Sequence, residues 1–545
     1  MDRTHQLAEY RREVAWACVL LFSLLVWMAP AGAQETTEFA THVSKLKVKS
    51  FVDKKAALIE LDELGGLRVR RLFDSLLGGK LYVRKSDKRV LILAEEDGVS
   101  SISDAISGEV LGETKKKELK RVVINNAIRS FLRRSIARMS LRAPEPATRQ
   151  QAVESLMTSL SAENLALLRE SLVNETNLEV QQAIRTALAV GSLKSEDASV
   201  RAKAARVLSG SVNREVRNRL TALLIHEQDE TVRASIAESL DASDRKRSLY
   251  AVVETLFFGL SLGSVFVLAA IGLAITFGVM GVINMAHGEL IMLGAYTTWV
   301  VQQLMPHRIE ESLFIAIPAA FLVSALVGVA IERSVVRHLY GRPLETLLAT
   351  FGISLLLQQA VRTIFSPLNR AVSTPEWMSG QYVVNDALAF TYNRIYIVAF
   401  SLLVFLSLTA ILRRTTLGLQ IRAVSQDRDM ARAMGVASGR IDSVTFGLGA
   451  GVAGLAGVAL SQLTNVGPNL GQSHIVDSFM VVVFGGVGNL WGTLVAGMTL
   501  GVSNKLLEPL VGAVLAKICV LLFIVLFIQN RPRGLFPPHG RSAEA

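Results

Sequence analysis

The residues best suited to chemistry in this sequence are Asn284, His287 and Glu289, which stand close together beside an apolar run. A histidine and a glutamate could ligate a metal ion, transfer a proton or contact a polar solute. The stretch lacks the H-E-x-x-H spacing of a zinc enzyme, so we expect neither catalysis nor a metal site. Polar groups in an apolar run are costly unless they meet a partner or water. Two interpretations stay open: the residues line a polar path, or they lock helix packing.

A second candidate site is a glycine-rich break in the apolar region 475–501, where the sequence reads GGVGNLWG. Its backbone groups and amide side chain could offer hydrogen bonds to a small polar solute. The alternative is close helix packing, which glycines permit because they lack a side chain. The break also predicts that this region either enters a membrane and returns to the same side or forms two short spans. The candidate residues are Gly485, Gly486, Gly488 and Asn489.

The third candidate is a charged segment, residues 416–440, between two apolar runs. It is long enough for two short helices. Its acidic residues near a helix start suit the helix dipole, and its glycine suits a helix end. From composition alone it is an ordinary charged loop. The residues considered for a contact with another protein are Gly418, Arg422, Asp427, Arg428, Asp429, Arg432 and Gly435.

The domains that position these residues are predicted from an uneven charge distribution along the 545 residues. From Leu249 onward there are 18 Lys/Arg and 14 Asp/Glu, whereas the earlier part holds 40 and 33. We therefore predict a polar domain over 34–245, a transmembrane domain over 249–534 and a cytoplasmic tail over 535–545. Several apolar runs in the transmembrane domain are long enough to cross a bilayer as helices.

The net charge of +11 does not indicate nucleic-acid binding. In the apolar part, arginines cluster in short segments between apolar runs and after the last run, which predicts that these segments face the cytoplasm. No basic stripe with interleaved aromatic residues is present. The two cysteines are Cys18 and Cys519. Because Cys18 lies in a first segment that we expect to be removed, no internal disulfide is predicted.

The first 33 residues have the pattern of a signal peptide. Arg11 and Arg12 precede an apolar run of about 15 residues, shorter than a typical span of about 20. The small residues Ala31 and Ala33 then form a possible cleavage site before Gln34. The alternative is an uncleaved anchor, and both interpretations place the following domain outside the cytoplasm.

The exported domain is predicted to be mostly helical, with a small hairpin near 80–93. Cap-type residues Asp197, Asn213 and Asp229 begin similar short motifs at a spacing of 16. Such residues start helices by accepting backbone N–H bonds, so a stacked array of short helices resembling HEAT repeats is expected. The alternative is a plain helical bundle. Neither arrangement implies catalysis, and the sequence does not indicate what the domain binds.

Three segments in matching order carry a family resemblance: residues 283–296 (INMAHGELIMLGAY), 481–492 (VVVFGGVGNLWG) and 531–536 (RPRGLF). They resemble permeases of the branched-chain amino acid importer family, the LivH/LivM group. Residues 475–479 and the exported extension resemble the urea-type subgroup in particular. The resemblance implies an all-α, polytopic permease of the bacterial inner membrane, with a periplasmic N-terminal domain and a cytoplasmic C-terminus.

The resemblance also implies partners: a second permease subunit, two cytoplasmic ATPase subunits, a periplasmic substrate-binding protein and membrane lipid. The segment 416–440 would dock on an ATPase. ATP would be bound by the partner, and this chain, which lacks the G-x-x-x-x-G-K-[ST] phosphate loop, would need no cofactor of its own. The expected solute is urea, moved by alternating access. The alternatives are a branched-chain amino acid and, remotely, a membrane-embedded hydrolase that uses His287.

Overall fold

The structure is a computed structural model that describes residues 31–48, 50–96, 99–113, 118–157 and 160–536. The chain divides into two compact units, Met1–Ser243 and Asp244–Ala545. The predicted signal peptide lies outside the described residues except for its last three positions. Most of the predicted cytoplasmic tail lies outside them as well.

The first unit combines a small antiparallel sheet with many short helices. Its first helices and its strands are α1 (Ala31–Lys45), α2 (Phe51–Leu64), α3 (Gly66–Leu77), β1 (Leu81–Arg84), β2 (Val90–Glu96), β3 (Val99–Asp104), β4 (Val110–Glu113) and β5 (Leu119–Arg121). Its later helices are α4 (Asn126–Leu141), α5 (Pro146–Met157), α6 (Ala162–Asn174), α7 (Leu178–Ser192), α8 (Ala198–Val207) and α9 (Arg214–His226). The helix α10 (Glu230–Met280) contains the boundary between the two units.

The predicted hairpin is part of a larger sheet. Strands β1 and β2 pair antiparallel, with Leu81 opposite Ile92, and the full strand order is β4-β3-β2-β1-β5. The remaining strands went unpredicted because β3 is rich in serine and β5 has only three residues. Short polar strands carry little of the alternating apolar pattern that identifies a strand from sequence.

The helices of the first unit begin at the predicted caps. The side chains of Asp197, Asn213 and Asp229 each accept a backbone N–H bond at the start of α8, α9 and α10. Ser161 and Asn177, which are also 16 positions apart, cap α6 and α7 in the same way. Buried apolar residues from these helices, such as Leu168, form one continuous core.

These helices also contain a longer repeat. Arg149 donates to both carboxylate oxygens of Glu175 at 2.7 and 2.9 Å, and Arg201 does the same to Glu227 at 2.8 and 2.9 Å. The second pair lies 52 positions further along the chain than the first. Each arginine also donates to two backbone carbonyls in the loop just before its own helix. The spacing of 16 is therefore a part of a three-helix repeat.

The second unit, as far as residue 536, is helical apart from one two-stranded hairpin. Its helices after α10 are α11 (His287–Leu304), α12 (Ile309–Ser334), α13 (Pro343–Phe365), α14 (Tyr392–Arg414), α15 (Thr416–Gln426), α16 (Arg428–Ala433), α17 (Ser438–Ser461), α18 (Leu470–Gly485), α19 (Leu490–Val511) and α20 (Ala513–Asn530). Short 3-10 helices cover Val336–Leu339 and Glu376–Met378, and the hairpin pairs β6 (Gln381–Asn385) with β7 (Leu388–Thr391).

Six helices in the described part of the chain are long and apolar enough to cross a membrane. They are α10, α12, α13, α14, α17 and α20. This architecture confirms the predicted all-α polytopic fold.

The centre of the second unit is a three-helix contact among α11, α12 and α17 that depends on glycine. A Cβ atom added at Gly294 would lie 2.1 Å from the carbonyl oxygen of Gly454, and one at Gly457 would lie 2.0 Å from that of Ile291. Backbones approach this closely only where side chains are absent. The glycine-rich face of α17 is therefore a packing surface, which holds the start of α11 in place.

Candidate functional site

Glu289 joins three helices of the second unit through a buried polar cluster. Its Oε1 accepts hydrogen bonds from Ser354 Oγ at 3.0 Å and Gln358 Nε2 at 3.3 Å, both on α13. Gln358 Nε2 also lies 3.2 Å from Oε1 of Gln472 on α18. Among the described residues, Oε2 of Glu289 has no hydrogen-bond partner although it is buried. An unpartnered buried carboxylate oxygen is costly, so a hydrogen-bond donor placed at this atom would stabilise the cluster.

The cluster belongs to a polar stripe along α13. Residues four positions apart lie on one face of a helix, and the face in question carries a hydroxyl, an amide or a guanidinium at each step. The stripe consists of Thr346, Thr350, Ser354, Gln358 and Arg362. The first four side chains are buried, and Arg362 donates to Asn469 at 2.7 Å. Polar residues on one side of a membrane helix face protein or a water-filled path rather than lipid.

The other two residues of the first predicted site make local contacts. His287 is fully buried, and its Nε2 lies 2.8 Å from the carbonyl oxygen of Ala269 on α10. Asn284 accepts a bond from the backbone N–H of Ala286 through its Oδ1, which shapes the turn before α11. Both contacts fit the interpretation in which these residues lock helix packing. In the described part of the chain, no group of three His, Cys, Asp or Glu side chains could hold a metal ion.

The glycine-rich break forms a tight turn between α18 and α19. Gly486 and Gly488 have φ of +102° and +79°, a conformation that favours glycine. A Cβ atom at Gly485 would lie 2.5 Å from the carbonyl group of Gly492, so the two helices touch through their backbones. Asn489 begins α19 by accepting a bond from the Gly492 N–H at 3.1 Å. These contacts favour the packing interpretation, while the predicted re-entry into a membrane stays a prediction.

A cavity of about 380 Å³ brings two of the predicted sites together. Gly488 and Asn489 from the glycine-rich break line it, and so do Arg422 and Ser425 of α15. A movement of α15 would therefore change the surroundings of Asn489 directly.

The segment 416–440 folds into the two short helices α15 and α16, and several predicted contact residues shape it. Asp427 begins α16 by accepting from the Met430 N–H at 2.9 Å, and Gly435 has φ of +88° where the segment turns. Gly418 packs against the backbone of Leu412, to whose carbonyl oxygen Arg422 donates.

Arg428 holds the segment to the membrane helix α17. Its guanidinium donates to both oxygens of the buried Asp442 at 2.6 and 3.1 Å and lies 5.0 Å from the ring centre of Tyr340. A nearby buried acid, Glu332, accepts from the Tyr340 hydroxyl at 2.9 Å and from Ser443. Sequence reasoning missed Asp442 and Glu332. An acid at the end of an apolar run, close to an arginine-rich loop, was the signal that could have found them.

The exposed surface of the segment includes large apolar side chains among charged ones, which charge patterning did not predict. Leu419, Met430 and Met434 are 61%, 62% and 80% exposed. Asp429 is also exposed, and Arg432 donates to Ser438 at 2.7 Å. Large exposed apolar side chains are typical of surfaces that contact another protein.

Lys517, a charged residue in the apolar helix α20, forms an ion pair. Its Nζ lies 3.1 Å from Oδ2 of Asp477 on α18, and Nδ1 of His474 lies 3.9 Å from the same oxygen. Asp477 is buried, so the lysine supplies its counter-charge.

Residues 255–529 match the family model described as the branched-chain amino acid transport system permease component. The chain belongs to this family. It is 30% identical over 297 residues to the high-affinity branched-chain amino acid transport system permease protein BraD of Pseudomonas aeruginosa, covering 53% of this chain and 96% of that protein. It is also 30% identical to the permease protein LivH of Salmonella typhimurium, covering 52% of this chain and 94% of that protein.

A more distant relative carries a sugar. The ribose import permease protein RbsC of Escherichia coli is 27% identical over 263 residues, covering 46% of this chain and 77% of that protein. No solved structure matches the chain. The family match confirms the predicted resemblance to branched-chain amino acid permeases, whereas the assignment to the urea-type subgroup gains no support from it. Membership of this family of importers implies ATPase and permease partner subunits in a bacterial inner membrane.

Proposed function

We propose that this chain is the permease subunit of an ATP-driven importer whose solute is a branched-chain amino acid. The observation that carries the proposal is the match to BraD and LivH over nearly their whole length. The sequence favoured urea instead, from residues 475–479 and the N-terminal extension. The matched relatives named for branched-chain amino acids favour the alternative, so urea becomes the competing outcome of the test.

In this proposal the polar cluster at Glu289 contacts the charged end of the solute. The unpartnered Oε2 of Glu289 accepts from the solute ammonium, and Gln358 and Gln472 supply further amide groups. The solute carboxylate would meet a cation further along the stripe, where Arg362 continues the same helix face.

The segment 416–440 would dock on a cytoplasmic ATPase subunit through Leu419, Met430 and Met434. The bidentate contact of Arg428 with Asp442 would then carry the movement to α17, because a guanidinium forked onto a carboxylate fixes orientation as well as distance. ATP would be bound and hydrolysed by that partner, and no cofactor would be bound by this chain.

The proposed assembly contains a second permease subunit, two ATPase subunits and a periplasmic substrate-binding protein. The first unit would lie in the periplasm, and the C-terminus in the cytoplasm, as the arginine-rich segments indicate.

Uptake of labelled leucine and labelled urea tests the proposal in cells that lack this chain and in the same cells supplied with it. We expect the chain to restore leucine uptake and leave urea uptake unchanged. Restoration of urea uptake alone would replace the proposed solute with urea and leave the architecture intact. Restoration of neither, with the importer assembled, would contradict both solutes.

A further inference from the structure

The first unit contains a cavity of about 540 Å³ between helix α2 and the strands β1 and β5. No aspartate or glutamate is among the described residues that line it. The cationic side chains that line the cavity are Lys47, Lys54, Arg84, Lys85, Lys88, Lys120 and Arg121. Arg84 is paired with Asp87 at 3.2 Å. Its size falls in the range of small-molecule sites, which is about 300–1,000 Å³.

Lys54 is the unusual member of this group because its side chain is buried, with 6% of the residue exposed. Its Nζ donates to the backbone carbonyl of Val123 at 2.9 Å and lies 5.3 Å from the ring centre of Phe51. No carboxylate in the described part of the chain pairs with it. Burial and the neighbouring charge of Lys120 lower the pKa of Lys54.

A buried ammonium without a counter-charge is costly, and proteins normally pair such a group or move it to the surface. Here the chain instead adds further cations around the same cavity. Like charges at close range repel, so the arrangement gains stability from an anion that enters the cavity.

The rest of the lining is apolar. Val48, Phe51 and Val123 are 44%, 40% and 60% exposed, although each belongs to the residue types that proteins usually bury. Leu46 and Val122 lie beneath them as buried core residues. A purely inorganic anion would leave this apolar surface in water, whereas an anion with an apolar body would cover it.

We propose that this cavity binds a small apolar carboxylate, with the carboxylate on Lys54 and Lys120 and the apolar body against Phe51 and Val48. The site is independent of the solute path in the second unit. It requires no covalent chemistry.

Fluorine NMR of the full chain in lipid nanodiscs tests the site. The probe is 4-(trifluoromethyl)phenylacetate, and the control ligand is its uncharged amide. We expect line broadening of the acid with a dissociation constant of about 1 mM or tighter and no comparable effect on the amide. Replacing Lys54→Met should weaken binding about tenfold, since a charge-assisted contact is lost while the side-chain length is kept.

Two further variants keep the test decisive. Lys55→Met removes the neighbouring exposed charge, which does not line the cavity, and should leave binding unchanged. Lys120→Met, at the exposed rim, should weaken binding a few-fold without risk to folding. Equal binding of acid and amide, no broadening at about 10 mM, or unchanged binding by the Lys54 variant would each overturn the proposal. Inorganic phosphate that binds as tightly as the acid would contradict the apolar part of the assignment.

Discussion

At Glu289, the two oxygens of one carboxylate have different surroundings. Oε1 accepts bonds from Ser354 and Gln358, and Oε2 accepts none from the described residues. If Oε2 receives the solute ammonium, Glu289→Gln should lower leucine uptake about tenfold or more, because a neutral amide cannot replace the charge.

The control for this prediction is Glu310→Gln, which changes an exposed glutamate at the start of α12. It should leave uptake unchanged. Wild-type leucine uptake by an equally abundant Glu289→Gln variant would restrict that residue to a role in helix packing. Wild-type uptake by Glu289→Gln would not contradict the proposed solute, because the comparison of leucine and urea uptake in cells tests the solute directly.

The pair formed by Lys517 and Asp477 has a clear stability prediction. Lys517→Met leaves a buried carboxylate without a counter-charge and should cost about 1–3 kcal/mol. The double variant that adds Asp477→Asn should recover most of the loss, because the remaining amide carries no charge. The measurement is the thermal midpoint of the detergent-solubilised chain. An equal loss in the single and double variants would contradict pairing.

The contact between Arg149 and Glu175 predicts a pH dependence in the first unit. The guanidinium and two backbone N–H groups lower the pKa of Glu175 below its usual value of 4.5. The stabilisation is therefore present above about pH 4.5 and is lost as the pH falls through the lowered folded-state value. At pH 7, Glu175→Gln should reduce hydrogen-exchange protection around α7 by about ten- to a hundredfold. The difference from the native chain should shrink in acid, and a difference that grows there would contradict it.

At the scale of the helices, the contact between α11 and α17 depends on two backbones touching. Gly294→Ala would place a Cβ atom 2.1 Å from a carbonyl oxygen of Gly454, so the helices must separate. We expect a loss of about 3 kcal/mol or more and little folded protein. The matched control is Gly352→Ala on α13, where a Cβ atom meets nothing within 4 Å. Alanine suits a helix better than glycine, so this control should be neutral or stabilising by up to about 1 kcal/mol.

In the segment 416–440, some side chains stabilise its fold and others are exposed to solvent. Met434→Ser should leave the fold intact, because the side chain is 80% exposed. It should reduce solute-stimulated ATPase activity of the assembled importer several-fold, because an apolar side chain of the proposed ATPase contact is lost. Asp429→Asn, on the same surface, is the control for loss of a charge and should have a smaller effect. Full stimulation in the Met434 variant would exclude this side chain from the ATPase contact.

The sequence predicted features that depend on local pattern. Apolar runs predicted the helical membrane unit, and cap residues such as Asn213 predicted where helices of the first unit begin. It could not predict contacts between distant positions: Ser354 and Gln358 meet Glu289 from 65 and 69 residues away. The exposed apolar side chain of Met434 was also missed, because isolated apolar residues among charged ones form no periodic pattern.

For the molecule as a whole, the family match covers one part of the chain and the first unit is another part. The matched relatives cover 52–53% of this chain, and the family model begins at residue 255. Transport is therefore assigned to the second unit, while the first unit carries the arginine–glutamate contacts and the cation-lined cavity. The two sets of variants described above can be scored separately, because uptake reports on one unit and probe binding on the other.

The contacts Arg149–Glu175 and Arg201–Glu227 recur 52 positions apart. This repeat affects how the length of the chain can change in evolution. A deletion of residues 145–196 would place Pro144 directly before Asp197. Arg201 would then meet the carbonyl oxygens of Ala143 and Pro144, which Arg149 meets now. Gene duplication or loss in whole copies would thus preserve these arginine contacts at the junction, whereas a shift by a few codons would not. Evolution can therefore change the number of three-helix repeats while the arginine contacts between neighbouring repeats are kept.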